Sequence, residues 1–115
     1  MDDDAPVRVY LREVLAIAPL KEGEEADLLQ HVRSQDEQAE LATKRLIEVN
    51  LYLVVTIAER HSSQGLKMLD LIQEGNLGLM RAIDSFSEDN KTFVSYAACI
   101  EHAIAKAIAD SRSPS

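Results

Sequence analysis

Apolar residues recur at helical spacing along almost the whole chain. In the first stretch, Pro6 to Val14, the residues Val7, Tyr10, Leu11 and Val14 stand at i, i+3, i+4 and i+7, which predicts an amphipathic helix. Pro6 suits a first helical turn, where its missing N–H costs nothing, and Pro19 breaks the pattern. A second helix is predicted from about Glu22 to Arg33, with Glu22, Glu24 and Glu25 at its positive end and Leu28, Leu29 and Val32 as its apolar stripe. Ser34-Gln35-Asp36 reads as a break, with Ser34 or Asp36 as the next N-cap. From there one long helix is predicted to run to about Arg60. Its middle (Leu41, Leu46, Ile47, Val49, Leu51, Val54, Val55, Ile57) is apolar nearly all round and so belongs in the core.

His61-Ser-Ser-Gln-Gly65 is a loop signal. A further helix is predicted from about Met68 to Phe86, then a polar break from Ser87 to Lys91, then a last helix from about Phe93 to Asp110. Ser111 to Ser115 reads as a frayed tail. No strand alternation and no internal repeat is seen in the sequence. The expected fold is all-α, a compact bundle of about five helices.

Composition sharpens this picture without changing it. The 115 residues suit one domain, and 46% hydrophobic with 28% charged residues is the balance of a soluble globular protein. The single cysteine, Cys99, excludes an internal disulfide and a cysteine-based zinc cluster, and suits a reducing cytoplasm. The acidic start is unlike a secretory leader, and the longest apolar run, near Leu51 to Val55, is too short to span a bilayer. A net charge of −8 shifts the expected partner from nucleic-acid phosphate toward protein, although a local basic stripe remains compatible with it.

One segment departs from ordinary helical core. Gly75 and Gly78 fall within one turn of an otherwise helical pattern, and each costs roughly 1 kcal/mol against alanine there. Close approach of another backbone is the usual reason. Leu69, Ile72, Leu79 and Ile83 are expected to face the core, leaving Asp70, Gln73, Glu74 and Asn76 as a polar group with Met80 one turn beyond. Spacing alone leaves open whether the glycines serve a crossing inside the domain or a partner.

Three stretches carry a family resemblance. PVRVYLREV (6–14) resembles the opening of region 1.2 of primary-type sigma-70 factors, and RLIEVNLYLVVTIA (45–58) resembles region 2.1. LDLIQEGNLGLMRAID (69–84) resembles region 2.2 almost residue for residue, and is long and chemically unusual enough to be a specific signal. The resemblance implies a region 1.2-like segment over residues 1–20, a region 2-like helical domain over 21–110 and a tail over 111–115. It also implies a transcription initiation factor, without catalysis or cofactor, that docks on the clamp helices of the largest subunit of core RNA polymerase. Asp70, Gln73, Glu74, Asn76 and Met80 would be the docking residues. Carboxylates and amides suit the polar groups of a coiled coil, and methionine adapts to its apolar seam.

Beyond Phe86 the likeness fades. Ser87-Glu-Asp-Asn90 stands where the family carries an aromatic and two arginines. Ala98-Cys99 stands where the family has a small residue and a tryptophan pair, so the helix is one residue short, and Glu101-His102 replaces an Arg-Gln pair that faces DNA. Phe93, Tyr96, Ile100, Ala103, Ile104 and Lys106 match. The candidate DNA contacts by resemblance are therefore Arg8, Arg12, Phe93, Tyr96, His102 and Lys106. Anions beside phosphate repel, so docking is expected to persist while promoter recognition and melting weaken. A competing expectation is a sigma mimic or regulator that occupies the clamp without opening promoters. No helix-turn-helix follows within these residues, which fits either a fragment of a longer factor or a short protein with a different task.

No other chemistry stands out. His31, His61 and His102 lie on separate segments without metal-ligand spacing, so no metal is expected. No phosphate loop or nucleophile–base set is present. The expected location is the cytoplasm.

Overall fold

The computed structural model describes residues 5–88 and 95–112, with backbone only for 86–88. Among them six helices follow in order: α1 (Ala5–Leu15), α2 (Glu24–Ser34), α3 (Ala39–Val49), α4 (Leu51–Glu59), α5 (Met68–Glu88) and α6 (Tyr96–Arg112). The all-α expectation holds. The sixth helix arises because the long third helix is two.

Asn50 divides it. A continuous helix would give the Leu46 carbonyl to the Asn50 backbone N–H; instead the Asn50 side chain Nδ2 donates to that carbonyl at 2.7 Å. The Asn50 N–H turns to Ile47 O at 3.1 Å, a tighter turn that ends α3, and φ −106°, ψ 5° takes the residue out of the helical well. Asparagine side chains compete with backbone in this way. The residue then serves as the N-terminal boundary of α4.

Other boundaries moved less. Gly23, at φ 82°, turns the chain into α2, which starts at Glu24 rather than Glu22. Neither Ser34 nor Asp36 is the N-cap of α3. That position is Gln38, but Asp36 Oδ1 accepts the Gln38 N–H at 2.8 Å and so satisfies a donor just ahead of the helix. α5 runs on through Ser87 and Glu88, the start of the expected break, while the rest of that break lies outside the described residues. α6 continues to Arg112, into the expected tail.

The core forms where α4, α5 and α6 meet, with the α2–α3 pair laid against α5 and α1 against α4. Leu46, Val54, Val55, Ile57, Leu71, Leu79, Ile83, Ile100 and Ile104 are fully buried there. Each such side chain contributes about 1.5–3 kcal/mol relative to exposure. α1 joins through buried Val14 and through Tyr10 and Leu11, which pack on the central cluster. Two expected core residues are instead outside: Leu41 is 63% and Leu69 43% exposed. On α5 the inward arc is filled by Leu71, Ile72, Leu79, Ala82, Ile83 and the two glycines, and Leu69 falls beyond its edge.

The glycines serve a crossing inside the domain. A Cβ on Gly78 would lie 2.5 Å from the Cys99 carbonyl oxygen and 2.8 Å from Ala103 Cβ. One on Gly75 would lie 2.7 Å from Val54 Cγ1. The backbones of α5 and α6 can approach at Gly78 only because a side chain is absent there, while at Gly75 the space is filled by side chains of α4 and α6.

Candidate protein-docking face and α5–α6 groove

With its inner arc buried, α5 turns the opposite side to solvent. Asp70, Gln73, Leu77, Met80, Arg81 and Asp84 are all exposed on it, at i, i+3, i+7, i+10, i+11 and i+14, the spacing of one helix face. Leu69, Leu77 and Met80 are 43%, 42% and 42% exposed, so the face is apolar as well as polar. Of the five docking residues expected from sequence, Asp70, Gln73 and Met80 lie on this outer face and Glu74 at its edge, half-buried. Asn76 is turned further in. Its Oδ1 is buried and finds no hydrogen-bond partner among the described residues. Leu69 and Leu77 were missed as surface residues; the signal was their position on the arc opposite Leu71, Gly75, Gly78 and Ala82.

Asp70, Gln73 and Glu74 also form one wall of a groove of about 450 Å³ between α5 and α6. The facing wall includes Ala103, Lys106, Ala107 and Asp110, and Arg81 reaches the groove from α5. Lys106 Nζ donates to Asp110 Oδ2 at 3.4 Å, both side chains about two-thirds exposed. Lys106, a candidate DNA contact, thus shares a cleft with candidate docking carboxylates. A second cleft, about 190 Å³, is lined by Gly78, Arg81, Ala98, Cys99 and His102. Arg81, which the sequence reading passed over, lines both.

The remaining DNA candidates are dispersed. Tyr96 is half-buried against the core, its hydroxyl without a partner among the described residues. Burial, and then the Glu25 carboxylate, push its phenol up. Arg8 and Arg12 are exposed on α1, which packs against α4. Phe93 lies outside the described residues.

Glu101, which stands where the resemblance expects an arginine, has a partner. Its Oε1 lies 2.5 Å from His61 Nε2, while His61 Nδ1 lies 3.3 Å from Gln64 Oε1. Arg112 donates to the Gln64 carbonyl at 2.9 Å, so the loop between α4 and α5 is tied to α6 at two points. No group of three His, Cys, Asp or Glu side chains among the described residues is arranged to hold a metal ion. No helix among them is long and apolar enough to cross a membrane.

An all-helical domain whose α5 and α6 cross closely at Gly78, with one amphipathic outer face, is the class of protein these features define. Comparison with known proteins places it more narrowly. The family model for sigma-70 region 2 matches residues 46–113. RNA polymerase sigma factor SigA of Lactococcus lactis subsp. cremoris is 46% identical over 109 residues, 93% of this chain and 30% of that protein. SigA of Clostridium acetobutylicum is likewise 46% identical over 109 residues, covering 28% of its length, and SigA of a Bacillus species is 43% identical over 107 residues. The chain belongs to the sigma-70 region 2 family. It spans less than a third of the length of these relatives.

Proposed function

We propose that this domain works in transcription initiation by docking on core RNA polymerase through the outer face of α5. The observation that carries the reading is the union, on one exposed helix face, of Leu69, Leu77 and Met80 with Asp70 and Gln73. An apolar stripe flanked by carboxylate and amide is the composition of a docking helix, with aliphatic anchors and a polar rim. The partner surface is the clamp-helix coiled coil of the largest polymerase subunit, in the cytoplasm. In this reading α1 and its linker are the region 1.2-like element, and residues from Lys21 onward form the region 2-like domain. Relatives named RNA polymerase sigma factor support the assignment. The domain's part is positioning, and the polymerase carries out the chemistry.

A pull-down with purified core RNA polymerase tests it. The wild-type chain is expected to co-elute and Asp70→Arg and Met80→Asp to be lost from the complex; equal retention of both variants would remove the docking assignment.

A second reading is favoured by the cleft beside α6. Gly78, Ala98 and Cys99 leave it without a large aromatic ring, and Arg81 and His102 supply only a guanidinium and an imidazole, a weaker platform for an unpaired base than stacked aromatic rings. On this reading the domain occupies the clamp and opens promoters weakly or not at all. Binding to a single-stranded −10 oligonucleotide in the presence of core polymerase divides the two: tight, sequence-dependent binding excludes the second.

A further inference from the structure

A cleft of about 170 Å³ opens among α1, the α1–α2 linker, α3 and α4, and none of its lining residues belongs to α5. Its walls are Leu15, Ile17, Pro19, Val49 and Tyr52, with Leu15 63% and Tyr52 54% exposed at the rim. Exposed apolar side chains converging on a concavity mark recognition more often than scattered ones do.

The cleft is also held open by the fold. Arg45 Nη2 donates to the carbonyls of Ala18 and Pro19, at 3.1 and 3.5 Å, and its Nε lies 3.5 Å from Glu24 Oε2. The linker wall is therefore fixed before any partner arrives, which lowers the ordering cost of binding. The one charged group lining the cleft is Glu48, half-buried and without an ion pair among the described residues. Arg45, one turn earlier on α3, is committed to Glu24 and the linker.

We propose that this cleft is a second protein-docking pocket, taking one bulky apolar side chain from a partner helix that carries a lysine or arginine one turn away, aimed at Glu48. The space suits a single leucine or phenylalanine anchor. Charge complementarity names the second feature of the partner, because a half-buried carboxylate at an apolar rim is best met by a cation arriving with the anchor.

The test is an NMR titration of the whole chain with three synthetic helical peptides that differ at two positions one turn apart: Leu with Lys, Leu with Glu, and Ala with Lys. The Leu/Lys peptide is expected to shift the amides of Leu15, Ile17 and Tyr52, and the other two to bind at least about tenfold more weakly. Glu48→Lys should invert the order in favour of Leu/Glu. Leu15→Ser and Tyr52→Ser, both at exposed positions, should keep the wild-type melting temperature and lose the response. The proposal is overturned if Glu48→Lys leaves the order unchanged, if the shifts fall on Leu69 and Met80 instead, or if none of the peptides shifts the cleft residues. Shifts of the same residues on concentrating the chain alone would make a second copy the occupant and overturn it equally.

Discussion

Gly78 on α5 lies under the Cys99 carbonyl of α6 so closely that a methyl group there would sit 2.5 Å from that oxygen. The obstacle is backbone, which cannot rotate away. Gly78→Ala gains about 1 kcal/mol of helix propensity but must separate the two helices, an overpacking cost of about 1–3 kcal/mol or more. The net expectation is destabilisation, read as a lower thermal midpoint. At Gly75 the nearest atoms are side-chain methyls of Val54, Ile100 and Ile104, which can repack in part. Gly75→Ala should therefore cost less than Gly78→Ala; the reverse order would disprove this account of the crossing.

Much of this crossing was legible in the sequence, and the reason is physical. Helical periodicity is set by local geometry, so Ile72, Leu79 and Ile83 of the buried arc emerged from spacing, as did the cost of two glycines, while Leu69 was placed inside and Leu71 was not. The identity of what approached them did not, since α6 lies some twenty residues later and no local rule brings Cys99 to Gly78. Asn50 was illegible for a related reason: its helix-breaking bond to the Leu46 carbonyl uses an atom that could equally have pointed to solvent. Leu69 and Leu71 differ by two positions and both are leucine, so composition could not tell the exposed one from the buried one. Of the expected docking residues, the resemblance supplied the names. Only the packing separated Asp70, Gln73 and Met80, which face outward, from Asn76, which does not.

The outer face of α5 makes a separable prediction. Leu69, Leu77 and Met80 are more than two-fifths exposed, so truncation to alanine should change folding stability by no more than about 0.5 kcal/mol. Binding to core polymerase should fall sharply if they are anchors, by about tenfold for the most central. Calorimetric melting and polymerase affinity measured on the same three variants check this. Loss of stability in step with affinity would assign the residues to the fold instead.

Acid should loosen the N-terminal half first. Glu24 is held below the ordinary carboxylate range, chiefly by the Lys21 N–H at 2.8 Å and further by Arg45. Asp36 is held down chiefly by His31, with the Gln38 N–H adding to it. A carboxyl with a depressed folded pKa contributes stability above its unfolded value that is lost as pH falls through the folded one. The expected profile is flat near neutrality and falls below about pH 4, the ordinary range of these groups. Glu24→Gln and Asp36→Asn should flatten the fall. Hydrogen exchange should report the early opening in the α1–α2 linker and the α2–α3 turn.

The α6 departures from the family can be tested as a coupled pair. Restoring a cation by Glu101→Arg would seem the direct way to strengthen DNA binding, since the family carries arginine there. In this chain Glu101 faces His61 Nε2 at 2.5 Å, and His61 is only 13% exposed at its side chain. An arginine would set a donor against a ring nitrogen that now has an acceptor, and would release the loop end that Gln64 and Arg112 also hold. Glu101→Arg alone is therefore expected to cost stability, by about 1–3 kcal/mol for a broken charge-assisted bond in a half-buried site. Glu101→Gln, which keeps an acceptor, should cost less. In the His61→Ala background the arginine has nothing to oppose, so its additional cost should shrink toward zero. A double-mutant cycle on thermal unfolding measures this coupling. Additive costs across the cycle would mean that the His61–Glu101 contact carries no energy, and that Glu101 is after all a free anion on the face of α6.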